Sequence, residues 1–148
     1  MLRQNGNFDV RLSRPTPDSQ IGSSNNTSLR LRVEDANSWG ADYFISIHTN
    51  ASSIPSATGS EAFSFSEPSR AFSLGEDILV GLNRTTGLQN RGMKVRSGLY
   101  VLRKTNMPAV LVELGFITNP NDAYLMNNSP GLIAQGIYQG ILEFFGLS

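Results

Sequence analysis

The sequence predicts a single α/β domain with a mostly parallel, twisted sheet flanked by helices. Two nearly continuous apolar runs, "DYFISIH" and "PAVLVELG", are typical of strands covered on both faces, as in parallel sheets. Segments with helical apolar spacing alternate with the strand segments, giving the predicted order strand, helix, strand, strand, helix, strand, strand, helix. A chain of 148 residues can bury a core, and no repeat or linker divides it.

The first part of the chain is predicted to hold two helical segments separated by a strand. "MLRQNG" is typical of a last helical turn closed by Gly6. "FDVRLSR", residues 8–14, alternates apolar and polar side chains, which predicts a half-buried strand. After a loop rich in Pro, Ser and Asn, Ser28 is predicted to cap a helix that runs to about Trp39 and is ended by Gly40.

The remaining elements follow from the same periodicities. "SEAFSFS" alternates and predicts a strand, and a helix is expected from Pro68 to about Asn83. "GLYVLR" predicts a short strand, whereas "NRGMKVRSG" is expected to be a surface loop. "NPNDAYLMN" begins a short helix, and "SPGLIAQGIYQGILEFFG" predicts a closing helix with Pro130 in its first turn.

Composition excludes several classes of function. Twelve basic and twelve acidic residues give a formal net charge of zero, so no field of one sign attracts nucleic acid or anionic lipid. The absence of cysteine excludes disulfide scaffolds, thiolate zinc sites and cysteine nucleophiles. No apolar stretch reaches the length of about 18 residues that spans a membrane. "MLRQNGNFDV" lacks the apolar core of a signal peptide, so any targeting segment is expected outside this chain.

Two predicted strands end in ionisable residues, His48 and Glu113. Ligands of open α/β sheets bind beyond the carboxyl ends of the strands, so the two residues would face one cleft if their strands are neighbours. Such a pair fits a zinc hydrolase, in which imidazole binds the metal and a carboxylate moves the proton of the attacking water. The residues taken by themselves leave open a structural histidine and a glutamate paired with an arginine.

Three further residues are candidates for the same site. Glu61, in "GSEAF", is a second carboxylate that could approach the cleft, although a strand-edge or solvent-facing position is favoured. Asn50 follows His48 by two residues and would orient the site or a substrate, or else be an ordinary turn residue. Arg91, in "NRGMKV", would contact an acidic or peptide substrate, although a plain surface loop is the favoured interpretation.

Five stretches, in order over almost the whole chain, carry a family resemblance: "LRLRVEDANSWGADYFISIHTNAS", "GSEAFSF", "RGMKV", "LYVLRKTNMPAVLVELGFITNPND" and "IAQGIYQGI". The chain resembles the catalytic domain of zinc-dependent N-acetylmuramoyl-L-alanine amidases, the family 3 amidases of bacterial cell-wall lysis. The resemblance implies the family fold and cleavage of the amide between N-acetylmuramic acid and the L-alanine of the peptidoglycan stem peptide. It implies His48 as a zinc ligand and Glu113 as the catalytic glutamate, acting as general base and acid.

The chain differs from this family at the expected metal site. The family's zinc is held by two histidines and one glutamate, the first histidine in an "H-G-G" turn and the glutamate at the head of the first helix. His48 is the only histidine here, and neither of those motifs occurs. We therefore expect residues 1–148 to be an amidase catalytic domain that is incomplete at its N-terminus, lacking the first strand and most of the first helix.

Two expectations about function follow from that departure. One zinc ion is implied by the family, and a single protein ligand would hold it weakly or not at all. The alternative to an active hydrolase is a metal-free, inactive fragment that binds cell wall or a partner. In either case peptidoglycan is the expected partner, and the expected location is extracellular or in the cell wall, or periplasmic in a Gram-negative cell.

Overall fold

Four strands form one mixed sheet in the computed structural model, which describes residues 1–147. The strands are β1 (Phe44–Asn50), β2 (Ser60–Ser64), β3 (Asn90–Val95) and β4 (Ala109–Phe116). Their order across the sheet is β1, β4, β2, β3. The pairs β1–β4 and β2–β3 are parallel, and β2–β4 is antiparallel. The predicted α/β class with a mostly parallel sheet is confirmed.

Six helices accompany the sheet within residues 1–147. They are α1 (Leu2–Asn5), α2 (Asn25–Trp39), α3 (Arg70–Thr86), α4 (Tyr100–Arg103), α5 (Pro120–Asn128) and α6 (Pro130–Phe144). Gly40 ends α2 in the left-handed conformation, as predicted. The predicted cap of that helix is wrong, because the Ser24 side chain, one turn before Ser28, accepts the Thr27 N–H. None of the described helices is long and apolar enough to cross a membrane.

Two packed layers of apolar side chains cover the two faces of the sheet. On one face, Val110 and Val112 of β4 pack with residues of α3 and α6. On the other, Leu111 of β4 and Phe63 of β2 pack with residues of α2 and α4. Because successive strand residues point to opposite faces, Glu113 lies on the α2/α4 face, two residues beyond Leu111.

Three sequence-based assignments are wrong, each because tertiary contacts override local pattern. Residues 8–14 form no strand, and Phe8 instead packs edge-on against the ring of Phe145, 5.6 Å between centroids. "GLYVLR" contains α4, whose consecutive Val101 and Leu102 are both buried, which a strand could not achieve on one face. "NRGMKV" is β3 rather than a loop, since its backbone pairs with β2.

Strand β1 is less buried than strand β4. Both were predicted to be covered on both faces, and β4 is, with Val110 and Val112 fully buried. Strand β1 lies at the sheet edge, where it pairs with β4 alone among the described strands. Ile47 is 52% exposed, so the prediction for β1 is wrong.

Helices α3 and α6 approach each other closely at glycines. A side chain at Gly81 would collide with the backbone carbonyl of Gly136, and one at Gly140 would collide with the backbone of Ile78. The two helices therefore pack tightly together over one face of the sheet, and Glu113 lies on the other face.

We predict that Gly81→Ala destabilises the fold by about 2 kcal/mol, since the added methyl group overpacks a backbone contact. Gly131→Ala is the matched control, because Gly131 also lies in a helix and has no atoms within 4 Å of an added Cβ. We expect that control to shift the free energy of unfolding by about 0.5 kcal/mol or less. Urea denaturation measures both, and equal stability of the two variants would contradict the packing argument.

Candidate active site

Three ionisable side chains form a row across the α2/α4 face of the sheet. His48 of β1 pairs in register with Glu113 of β4, and Glu113 in turn faces Glu61 of β2. We call this set the strand-end row, because it lies where β1 and β4 approach their carboxyl ends. The structure thus brings His48 and Glu113 together on neighbouring strands, as the sequence suggested.

Glu113 has a carboxylate oxygen that is buried without a hydrogen-bond partner. Among the described residues nothing donates to its Oε2, although this atom is buried. Burial raises the pKa of the Glu113 carboxyl, and the facing charge of Glu61 raises it further, while Arg96 acts in the opposite direction. A buried acceptor without a donor is costly, which makes this carboxyl a candidate for chemistry rather than for structure.

His48 is an exposed residue whose ring is partly enclosed by its neighbours. Its Nε2 lies 2.7 Å from the hydroxyl of Ser46, two residues earlier on the same strand face. Partial burial lowers the pKa of His48 below its usual value, and the Arg32 charge on α2 lowers it further. The neutral imidazole, the form that can ligate a metal, is therefore favoured.

Glu61 is held in place by three donors. Its Oε1 accepts from the Asn50 amide at 2.7 Å, and its Oε2 accepts from Arg91 at 3.3 Å and from the Lys94 ammonium. Burial raises the pKa of Glu61, but the hydrogen bonds from Lys94 and Arg91 outweigh it and hold the pKa below its usual value. Glu61 is only 8% exposed, so the favoured interpretation of a strand-edge or solvent-facing residue is wrong.

The structure places the two predicted substrate-binding residues in that same network. Asn50 ends β1 and bridges it to Glu61 of β2. Arg91 also donates to the carbonyl oxygen of Thr58 at 3.2 Å, and its guanidinium lies 5.1 Å from the ring centroid of Phe116. Both side chains tie strands together at the edge of the site.

The described residues do not by themselves fit a catalytic zinc site. Such sites use three protein ligands and leave one position open. Among residues 1–147 no group of three or more His, Cys, Asp or Glu side chains converges on one point. Both oxygens of Glu61 already accept hydrogen bonds, which disfavours Glu61 as a metal ligand. His48 is thus the one residue that was predicted as a zinc ligand, and the described residues bring no second and third ligand to it.

Comparison with known proteins decides the family. A sequence profile described as N-acetylmuramoyl-L-alanine amidase matches residues 1–143. The chain belongs to this amidase family. It is 37% identical to the N-acetylmuramoyl-L-alanine amidase CwlM of Bacillus licheniformis, over 100% of this chain and 55% of that relative. The chain thus spans about half the length of this curated relative.

Solved amidase structures share the fold. The CwlD amidase from Clostridioides difficile, in complex with the GerS lipoprotein, superposes with a TM-score of 0.87 at 27% identity, over 98% of this chain and 79% of that one. The catalytic domain of the amidase CwlV from Bacillus (Paenibacillus) polymyxa var. colistinus gives a TM-score of 0.83 at 30% identity, over 99% and 78% respectively.

Asp122, which sequence reasoning missed, joins segments next to the strands that carry the candidate site. It is fully buried and accepts from the Thr58 hydroxyl at 2.5 Å, the Gly59 N–H at 3.1 Å and the Phe116 N–H at 2.9 Å. These bonds join the end of β4 to the loop that leads into β2. In the sequence, Asp122 is only an acidic residue in a helix's first turn, a common position that conceals partners far along the chain.

We predict that Asp122→Ala lowers the free energy of unfolding by about 3 kcal/mol, because it leaves buried donors without an acceptor. Asp18→Ala removes an identical group from an exposed loop position and serves as the control. Thermal or chemical denaturation of both variants measures the difference. If Asp122→Ala were as stable as Asp18→Ala, the supporting role of Asp122 would have to be abandoned.

Proposed function

We propose that this chain carries the reacting edge of a peptidoglycan amidase, which hydrolyses the amide between N-acetylmuramic acid and the L-alanine of the stem peptide. Membership of the amidase family supports the reaction class. The observation that carries the proposal is the Glu113 carboxyl, with its buried Oε2 that no described residue satisfies, between His48 and Glu61 at the strand ends.

Glu113 is the general base and acid of the proposed reaction. Two neighbouring carboxyls with opposite pKa shifts take different roles. Donors hold Glu61 ionised, whereas burial and the Glu61 charge raise the pKa of Glu113 and so increase its affinity for a proton. Glu113 removes a proton from the attacking water and delivers it to the nitrogen of the departing L-alanine. Glu61 keeps its charge throughout and supports Glu113 from β2.

His48 is the proposed metal ligand of this chain. Its lowered pKa favours the neutral ring that zinc requires. Since the described residues fit one ligand position only, we assign no step of the reaction to the metal. We propose that residues 1–148 form part of an amidase catalytic domain, and that a complete zinc site uses further ligands from residues that are not among these 148.

Peptidoglycan is the proposed partner, and the cell wall is the proposed place of action. The amide that gives the family its name occurs in peptidoglycan, which lies outside the cytoplasmic membrane. An enzyme with this substrate therefore acts extracellularly or in the wall, or in the periplasm of a Gram-negative cell.

We predict that Glu113→Gln reduces the release of stem peptides from purified peptidoglycan at least about 100-fold, because the isosteric amide cannot move a proton. Glu76→Gln is the control, since Glu76 is an exposed glutamate on α3, on the far side of the sheet. Mass spectrometry of the released peptides measures the rate. Turnover retained by Glu113→Gln would remove Glu113 from the mechanism.

The same samples also distinguish an inactive protein that only binds peptidoglycan from an active hydrolase. If the unaltered protein, with zinc supplied in excess, sediments with peptidoglycan yet releases no peptide, the binding-only alternative is supported and the proposed activity fails.

We predict that the 148-residue chain retains less than stoichiometric zinc after dialysis, since one histidine is an incomplete ligand set. Metal analysis by mass spectrometry measures the content, with His48→Ala as the comparison. One tightly held zinc per chain that disappears in His48→Ala would show that the described residues complete the site after all.

A further inference from the structure

Three cationic side chains lie on the β3 side of the strand-end row. Arg91 and Lys94 belong to β3, and Arg96 follows directly after that strand. Glu61 is the acidic residue paired with this group. The cations therefore outnumber the carboxylate that they face.

Arg91 and Lys94 are committed to Glu61. Both donate to its Oε2, and Arg91 also donates to the Thr58 carbonyl oxygen. Their role in the folded protein is to compensate a buried charge.

Arg96 differs from these two cations. Its guanidinium lies 4.8 Å from the ring centroid of Phe63, which holds it over the α2/α4 face. Among residues 1–147 its side chain has no hydrogen-bond or ion-pair partner, and it is exposed. Its charge acts on Glu113, so it lies within electrostatic reach of the proposed reacting group. A guanidinium fixed by stacking on a ring keeps its N–H edges free for a carboxylate.

At the His48 end of the strand-end row, the nearby cationic side chain already has hydrogen-bond partners. Arg32 of α2 acts on His48, but its guanidinium donates to the hydroxyls of Ser28 at 3.2 Å and Ser13 at 3.4 Å. Positive charge available to a ligand is thus concentrated beyond Glu61, towards β3.

We propose that Arg96 forms a carboxylate-binding subsite for an acidic peptide. The inference rests on the proposed function and adds to it the orientation in which the substrate lies across the sheet. A muramic acid residue in amide linkage is uncharged, whereas the stem peptide carries carboxylates beyond its L-alanine. The peptide side of the scissile amide therefore lies over β3, and the sugar side lies over β1.

Two matched ligands test the subsite: N-acetylmuramoyl-L-alanyl-D-glutamic acid and the same compound with both carboxyls converted to amides. Dissociation constants are measured by titration calorimetry at pH 7 and low salt, with Glu113→Gln present so that neither ligand is cleaved. We expect the acid to bind about tenfold more tightly than the diamide, the effect of one charge-assisted pair. Adding Arg96→Gln removes that preference and leaves the diamide affinity unchanged.

Two further variants control for charge and folding. Arg96→Lys keeps the charge and retains part of the preference. Arg84→Gln removes the same charge from an exposed position on α3 and leaves both affinities unchanged. Equal affinity for acid and diamide, or a preference that survives Arg96→Gln, would overturn the subsite while the proposed function stands. Binding of neither ligand would overturn both.

Discussion

The register of the central strand β4 is the constraint on which the site depends. Strand β4 pairs in parallel with β1 and antiparallel with β2, so Glu113 faces His48 on one side and Glu61 on the other. Different apolar clusters cover its two faces, and a slip by one residue would exchange them and send Glu113 to the α3/α6 side. The core that stabilises the domain therefore also aligns the strand-end row.

The register creates an electrostatic conflict that the neighbouring strands resolve. Two facing carboxylates in a partly buried setting repel each other, which disfavours the ionised form of at least one. Arg91 and Lys94 of β3 and Asn50 of β1 all donate to Glu61, so Glu61 keeps the charge. Glu113 has no described donor at Oε2 and carries the raised pKa. The polar side chains at the sheet edge thus determine which carboxyl is available to exchange a proton.

Sequence patterns predicted those parts of the fold that local signals determine. The apolar run ending in Glu113 predicted a buried strand, and His48 at the end of a similar run predicted a shared edge. Strand β3 was missed because it is an exposed edge strand whose polar residues follow no apolar alternation. The burial of Glu61 and the partners of Asp122 depend on residues about 30 and 60 positions away. Sequence spacing does not reveal such distant contacts. The pair of His48 and Glu113 could therefore be predicted, whereas the hydrogen bonds of Glu61 and Asp122 could not.

The central claim is that Glu113 is held beside an ionised Glu61 in a site that raises its pKa. Titration of the Glu113 carboxyl carbon by NMR, with Glu61→Gln as the comparison, tests it most directly. We expect an apparent pKa above the ordinary value of 4.5 in the unaltered protein. The pKa should fall in Glu61→Gln, because the facing negative charge is lost while the cations remain. A Glu113 pKa at or below its ordinary value, unchanged by that substitution, would contradict the account.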